Sequence, residues 1–378
     1  MENFYPNQYK EDKSYKINHN YLSKQFSCYE EILELIKDVV LKNDFTLGNE
    51  VDELEKLIAI EANTKFAIGV GSGTDAIRLS LKSLGIGEGD EVITTPYTFY
   101  ATIGAIATTG AIPVFADVCD DYNLNPLEVE KKITKKTKAI VPVHWSGRPC
   151  QMDELKLISK QHNLPIVEDA CHAIQAEYKN KRCGGIGKLG CFSFHPLKNL
   201  NVWGDGGIIT TNDEELANRL KLIRNHGLID RNTCIEFAYN SRLDTVQAVV
   251  AKFVLQNKLD AITKTRRNNS FLLDKLLAKI PFVSTVNRKN ELKESFHLYM
   301  FSTDRKEKIY NALRDSGIDA KVHYPVPMHL QPAAKEFGYQ LGDFPKAEKL
   351  AETSISIPVH EFITDNEIIY MSKVIESC

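Results

Sequence analysis

A turn of small residues begins at Gly71, directly after an apolar run, with the sequence GSGTDAIRL. The residues that follow, including Ile77 and Leu81, predict a helix that this turn opens. Small residues let the backbone approach an anion, and the free N–H groups of a first helical turn point at it. The Thr74 hydroxyl can add a hydrogen bond. We interpret Gly73 and Thr74 as candidate phosphate ligands, although a simple capping turn has the same pattern.

Two adjacent acids, Glu168 and Asp169, stand at the carboxyl end of the apolar run LPIV. Open parallel sheets bind ligands at that end of their strands, so an acid there can reach a cofactor ring. Neighbouring side chains of a strand point to opposite faces, so only one of the two acids can meet the ring. Capping of the turn that follows is the structural alternative.

A lysine, Lys198, lies in the segment FSFHPLKNLNVWGDGG between two predicted strands, beside Pro196 and several aromatic residues. Apolar neighbours that desolvate a lysine lower the pKa of its amine, which then attacks an aldehyde more readily. Taken singly, a lysine in a chain with 47 Lys and Arg is usually a solvated surface residue.

The order of these segments favours one cofactor. A phosphate turn is followed by an acid, and then by a hydroxyl at Ser193 and an amine at Lys198 on one short loop. Pyridoxal phosphate needs an amine for covalent attachment, an acid beside its pyridine nitrogen and an anion cradle. The combination predicts a pyridoxal-phosphate enzyme with Lys198 as its catalytic residue.

With these motifs the chain resembles the fold-type-I sugar aminotransferases of the DegT/DnrJ/StrS family along nearly its whole length. The resemblance implies that Lys198 carries the cofactor and that Asp169 pairs with the pyridinium. It also implies that Ser193, five residues before the lysine, joins Gly73 and Thr74 at the phosphate.

The resemblance assigns further residues around the ring and across a dimer. In TTPYTFYAT the stacking aromatic falls on Phe99. The residue near the phenolic oxygen falls on His172, where the family more often has Gln. In FAYNSRLDTVQA the Asn that reaches the phosphate of the partner's cofactor falls on Asn240. The resemblance therefore implies a homodimer with shared active sites.

A segment of the carboxyl-terminal third, KVHYPVPMHLQP, resembles the part of the family's small domain that borders the substrate. It implies that His323, Tyr324 and His329 lie near a sugar nucleotide, with a packed turn as the alternative. Trp203 replaces one of the family's usual small residues, and we interpret it as packing rather than as a wall of the sugar pocket.

The elements that must position these residues follow an α/β pattern. From Phe66 onward short apolar runs alternate with helical periodicity, as in β-α-β units of a largely parallel sheet. The predicted strands lie in seven segments: FAIGV, EVITTPY, IPVFADV, AIVPVHW, LPIVEDA, CFSFHP and GGIITTN. Helices are predicted at Met152–His162 and from Asp213 to about Arg224.

After the helix that ends at about Arg224 the alternation stops, and a long helix from about Val254 to Lys279 is predicted, followed by short strands and a further helix. We expect a large cofactor-binding domain, 1–255 with the amino-terminal segment, built on a mostly parallel sheet of the seven-stranded type flanked by helices. A smaller C-terminal α+β domain, 256–378, is expected to border the substrate site.

Composition excludes several function classes. The net charge of −3 is spread without blocks, so neither nucleic acid nor an acidic tail is indicated. No segment has the apolar length of a membrane span, and we expect a cytoplasmic protein without a membrane partner. The eight cysteines form no C-x-x-C pair, so no metal site or disulfide framework is expected.

The predicted function is transfer of an amino group from L-glutamate, the donor that the resemblance implies, to a nucleotide-linked 3-keto or 4-keto deoxysugar. Such a reaction belongs to amino-sugar biosynthesis for lipopolysaccharide, O-antigen or another glycoconjugate. One alternative is a sugar dehydratase of the same fold that uses pyridoxamine phosphate, but it carries a His where this chain has Lys198. The other is a non-catalytic sensor or regulatory protein on the same scaffold.

Overall fold

The computed structural model describes Tyr9 and residues 11–378. The expectation about the polar start of the chain falls partly on residues 1–8 and 10, which lie outside the described part. The helices of the described part are α1 Leu22–Gln25, α2 Tyr29–Lys42, α3 Asn49–Glu61, α4 Gly73–Ser83, α5 Tyr100–Ala107, α6 Pro126–Lys131, α7 Met152–His162, α8 Glu214–Ile223, α9 Thr245–Asn257, α10 Leu259–Leu277, α11 Lys306–Asp315, α12 Pro345–Thr353 and α13 Asp365–Glu376. None of these helices is long and apolar enough to cross a membrane.

The strands are short and alternate with the helices in the first half of the chain. They are β1 Phe66–Val70, β2 Glu91–Thr94, β3 Ile112–Phe115, β4 Thr137–Ile140, β5 Val167–Asp169, β6 Glu177–Tyr178, β7 Lys181–Arg182, β8 Leu189–Ser193, β9 Gly207–Thr211, β10 Ser284–Thr285, β11 Leu292–Lys293, β12 Tyr299–Ser302 and β13 Ser354–Ile357. Three 3₁₀ turns lie at Trp145–Gly147, Met328–Leu330 and Pro332–Phe337.

Seven strands form the central layer in the order β1, β9, β8, β5, β4, β2, β3. Two hydrogen-bonded groups, β1-β9-β8-β5 and β3-β2-β4, are joined by parallel bridges between Ile140 and Ile166 and between Val143 and Asp169. Only β9 runs antiparallel to its neighbours. The predicted α/β class with a mostly parallel seven-stranded sheet is confirmed.

Helices cover both faces of this layer because successive strand residues alternate between two apolar cores. Ala67 and Ile208 pack against α3 and α9, whereas their chain neighbours Ile68 and Ile209 pack against α4, α5 and α8. The strands are buried on both sides, which explains why the sequence shows continuous apolar runs.

The predicted single helix from about Val254 to Lys279 is wrong in its start and its continuity. The chain instead forms α9 from Thr245 and α10 from Leu259, with a break at Lys258, whose amine donates to the Gln25 carbonyl. The first half of α9 is rich in valine, a weak helix former, and its helical state is favoured by burial against α3.

The carboxyl-terminal region has its own α+β core, as predicted. Strands β10, β12 and β13 form an antiparallel sheet that packs with α11, α13 and the end of α10. Ile17, from the amino-terminal segment, lies in the same apolar cluster. The division near Leu255 stays a prediction, and it falls inside α9.

Candidate active site

One cavity of about 1050 Å³ contains most of the residues that the sequence singled out. Nine of the eleven predicted site residues line it: Gly73, Thr74, Phe99, Asp169, His172, Ser193, Lys198, His323 and Tyr324. The other two, Asn240 and His329, do not. The first half of the chain therefore brings its dispersed motifs to one place, at the carboxyl ends of β1, β5 and β8.

The small-residue turn meets the end of β8 closely. Ser72 caps α4 by accepting a hydrogen bond from the Asp75 N–H (3.0 Å), so Ser72 and not Thr74 is the capping residue. A Cβ added at Gly73 would lie 2.6 Å from the Ser193 Cβ, so only glycine fits there. The exposed Thr74 hydroxyl has no partner within the described part of the chain. The helix terminus, Thr74 and Ser193 together form an anion seat.

Lys198 follows a tight turn after β8, in which its backbone N–H donates to the His195 carbonyl (2.8 Å). No described residue accepts a hydrogen bond from its amine, which faces the cavity. Desolvation lowers the pKa of the Lys198 amine, while the Cys171 thiol and the Asp169 carboxylate act in the opposite direction. An amine with a lowered pKa at the wall of a cavity is suited to react with a carbonyl carbon.

Asp169 is almost fully buried at the end of β5 and lines the cavity. Its Oδ2 accepts a hydrogen bond from the Thr102 hydroxyl (2.8 Å), and its Oδ1 accepts one from the Cys171 N–H (3.2 Å). Both contacts fix the orientation of the carboxylate. The acid is therefore held in place to face a cationic partner in the cavity.

Glu168 serves the protein interior instead. Its carboxylate accepts the N–H groups of Gly184 (2.8 Å), Ile186 (2.8 Å) and Gly187 (2.6 Å), and it contacts the His144 Nε2 (2.8 Å). These contacts anchor the turn before β8, which carries the lysine loop. Glu168 is thus a structural acid beside a cavity acid.

A cluster of possible metal ligands includes the same residue. Ligand atoms of His144, Glu168 and Cys183 lie within 4.8 Å of one another. The Cys150 N–H donates to the His144 Nδ1, so Nε2 carries the proton and donates to Glu168. Since this imidazole has no free lone pair, the cluster is explained by hydrogen bonding.

Aromatic rings surround the middle of the cavity. Phe99 is 45% exposed and its ring lies 5.8 Å from that of Tyr324, so it offers a free face to a flat ligand. His172 packs against Trp145 and His297, and its Nδ1 is buried without a described partner. Burial and the nearby Lys198 charge lower the pKa of His172 well below its ordinary value, so the ring is neutral.

His329 does not reach the cavity, which corrects the expectation that it borders the substrate. It is 1% exposed, and its Nε2 contacts Glu348 (3.0 Å) between the rings of Phe115 and Phe344. His329 is therefore a packed residue, which was the structural alternative for this segment.

Asn240 and Trp203 also lie outside the cavity. Asn240 is exposed, its backbone pairs with Asn225, and it does not line the cavity of its own chain. That Asn240 reaches the cofactor phosphate of a partner subunit stays a prediction. Trp203 packs edge to face against Phe26, in agreement with the packing interpretation.

Several cavity residues were missed from the sequence. Thr102 stands three positions after Phe99 in the motif TTPYTFYAT, and that helical spacing was the available signal. His19 and Tyr21 also line the cavity, where Tyr21 stacks on His360 (4.5 Å between ring centroids). No local pattern marks these contacts because they join distant parts of the chain.

Known proteins are similar to this chain over most of its length. A "pleiotropic regulatory protein" of Geobacillus stearothermophilus is 38% identical, covering 94% of this chain and 96% of that protein. A dTDP-3-amino-3,4,6-trideoxy-alpha-D-glucose transaminase of Streptomyces venezuelae is 38% identical, covering 88% of this chain and 89% of the enzyme.

A solved structure shows the same fold. The S. venezuelae protein DesV, crystallised with a ketimine intermediate, superposes with a TM-score of 0.92 at 35% identity, over 96% of this chain and 98% of its own. The model of the DegT/DnrJ/EryC1/StrS aminotransferase family matches residues 27–376. The chain therefore belongs to the DegT/DnrJ/EryC1/StrS aminotransferase family.

Proposed function

We propose that this protein is a pyridoxal-phosphate-dependent aminotransferase that moves an amino group from L-glutamate to a nucleotide-linked keto-deoxysugar, at C3 or C4. The observation that carries the proposal is the half-buried Lys198, whose amine shares one cavity with an anion seat and the acid Asp169. Family membership supports the reaction class.

The described residues fit the cofactor in three respects. Gly73 and Ser193 leave no room for a Cβ between them, and beside them the α4 terminus and Thr74 would hold the phosphate. Asp169 would pair with the ring nitrogen of the cofactor. His172 also lines the cavity, and its buried Nδ1 has no described partner, so this atom is free to accept a hydrogen bond from a ligand or donate one to it. Phe99 would cover one face of the ring.

Bound pyridoxal phosphate would supply an aldehyde carbon that exchanges amines and a ring that stores the electron pair left by a removed proton. Lys198 would hold the cofactor between turnovers. Once displaced by the donor amine, its Nζ would take the proton from the donor's α-carbon and return it on the cofactor side. In the second half-reaction the same amine would move the proton in the opposite direction.

The other residues would set the conditions for this transfer. The Asp169 carboxylate would keep the ring nitrogen protonated, because a carboxylate favours a cation beside it. His323 and Tyr324 also line the cavity, where they would contact the sugar. The aromatic walls would limit the access of water to the reacting carbon.

A regulatory role is the alternative, and one relative at 38% identity has a regulatory name. The complete set of amine, acid and anion seat favours an enzyme, because a sensor needs no nucleophilic lysine. A surface polysaccharide or another glycoconjugate is the proposed destination of the product.

The test is a two-step assay of the protein loaded with pyridoxal phosphate. Addition of L-glutamate should shift the visible absorbance and release one equivalent of 2-oxoglutarate per site. A panel of 3-keto and 4-keto nucleotide sugars, followed by mass spectrometry, should then yield one amino-sugar nucleotide. Loaded protein that is inert toward glutamate would contradict the proposal.

A further inference from the structure

We propose that Thr102 is a positioning residue, whose hydroxyl holds the Asp169 carboxylate oriented toward the cofactor ring, with Thr98 supporting it through a second hydroxyl. The inference rests on the proposed function, in which Asp169 is the partner of the ring nitrogen. It concerns residues to which the family resemblance assigned no role.

The contact is short and shielded from water. Thr102 is 2% exposed and Asp169 is 4% exposed, and their Oγ1 and Oδ2 atoms lie 2.8 Å apart. The Thr102 hydroxyl donates to Oδ2 of this carboxylate and the Cys171 N–H donates to Oδ1, with the Cys171 thiol beside the acid. Without the hydroxyl, the buried Oδ2 would lose its closest hydrogen-bond donor.

The direction of the bonds follows from their chemistry. An ionised carboxylate only accepts, so the single proton of the Thr102 hydroxyl points at Asp169. Thr98 lies 2.8 Å away and must then donate to the Thr102 oxygen. Consecutive bonds of this kind polarise one another, and the chain Thr98, Thr102, Asp169 strengthens the last contact.

The same short turn also carries the aromatic wall. Thr98 and Thr102 flank Phe99, which immediately precedes α5, and both threonines are buried while Phe99 is exposed to the cavity. One rigid element therefore sets the position of the acid at the ring edge and of the aromatic at the ring face. Loss of the Thr102 hydroxyl should weaken cofactor binding and alter its ionisation, without changing attachment at Lys198.

The experiment compares Thr102→Val, which keeps the shape without the hydroxyl, with Thr102→Ser, which keeps the hydroxyl. Thr94→Val is the matched control, because it removes a buried threonine hydroxyl that donates to the Val141 carbonyl (2.8 Å), away from the acid. Each apoprotein is titrated with pyridoxal phosphate, and the visible absorbance of the loaded form is followed against pH.

Thr102→Val should weaken cofactor binding about tenfold or more, as expected for a lost hydrogen bond to a charged group. Its absorbance should change with pH at a different midpoint from that of the unmodified protein. Thr102→Ser should restore both properties, and Thr94→Val should leave both unchanged even if it lowers thermal stability.

Two failures are distinguishable. If unmodified protein does not carry pyridoxal phosphate on Lys198, the proposed function is wrong and the inference falls with it. If the unmodified protein is loaded at Lys198 but Thr102→Val matches it in affinity and pH midpoint, or Thr102→Ser is as impaired as Thr102→Val, the positioning role alone is overturned.

Discussion

Glu168 and Asp169 are neighbours in β5, but the carboxylate of Glu168 lies in the protein interior and that of Asp169 lies at the cavity. Glu168 accepts three backbone N–H groups of the turn at 184–187 and contacts His144, whereas Asp169 lines the cavity and accepts from Thr102. The alternation of side chains along a strand separates a structural acid from a functional one.

This separation predicts opposite outcomes for two isosteric substitutions. Asp169→Asn should lower the turnover number by about a hundredfold or more, with little change in thermal stability, because an amide would not keep the ring nitrogen protonated and the ring would store the electron pair less well. Glu168→Gln should lower stability by about 1–3 kcal/mol, since an amide cannot accept from all four donors. Kinetics and thermal unfolding of both variants provide the check, and the reverse ranking would mean that the assignment of the two acids is wrong.

A second pair of variants separates the two histidines of the KVHYPVPMHLQP segment. His323 lines the cavity, so His323→Ala should raise the KM for the nucleotide sugar more than the KM for glutamate. His329 is buried against Glu348, so His329→Ala should lower stability and leave both KM values of the folded protein unchanged. A selective KM effect of His329→Ala would restore it to the substrate site.

Acid should destabilise the fold through neutral histidines that are partly or fully buried. Burial lowers the pKa of His19 to about 4 and that of His323 and His360 to about 3. Because the unfolded chain binds protons at these positions near pH 6.5, stability should be lost as the pH falls from about 7 toward 4.

Each such histidine contributes a slope of at most about 1.4 kcal/mol per pH unit over that interval. Denaturant unfolding at a series of pH values measures it, and His323→Asn should reduce the slope. A free energy of unfolding that stays constant between pH 7 and pH 5 would contradict this expectation.

The proposed sharing of sites between subunits predicts complementation. Asn240 is exposed and does not line its own cavity, so Asn240→Asp and Lys198→Ala should each inactivate a different half of a shared site. In a mixed dimer one site then carries both changes and the other carries none. Subunit exchange should recover roughly a quarter of the sites. An active monomer in sedimentation experiments would exclude sharing.

The sequence predicted those features that depend on local pattern. Apolar runs such as FAIGV and GGIITTN gave the strands of the sheet, and the motifs around Gly73 and Lys198 converged because parallel strands bring their carboxyl ends to one edge. Helix α9 was missed at its start because its valines carry no strong helical preference and are held by α3.

Long-range contacts were beyond prediction for a different reason. The bond between Thr102 and Asp169 joins residues 67 positions apart, and no periodicity links them. His329 was placed near the substrate by its motif, but its side chain turns toward Glu348 inside the small-domain region. Which face a residue of an irregular segment presents is decided by packing.

Covalent attachment of pyridoxal phosphate to Lys198 is the central claim, and borohydride reduction followed by peptide mapping tests it most directly. The reduced cofactor mass should appear on the peptide that contains Lys198, at one per chain, and Lys198→Ala should carry none while keeping its fold. Label on another lysine, or no label on loaded unmodified protein, would contradict the account.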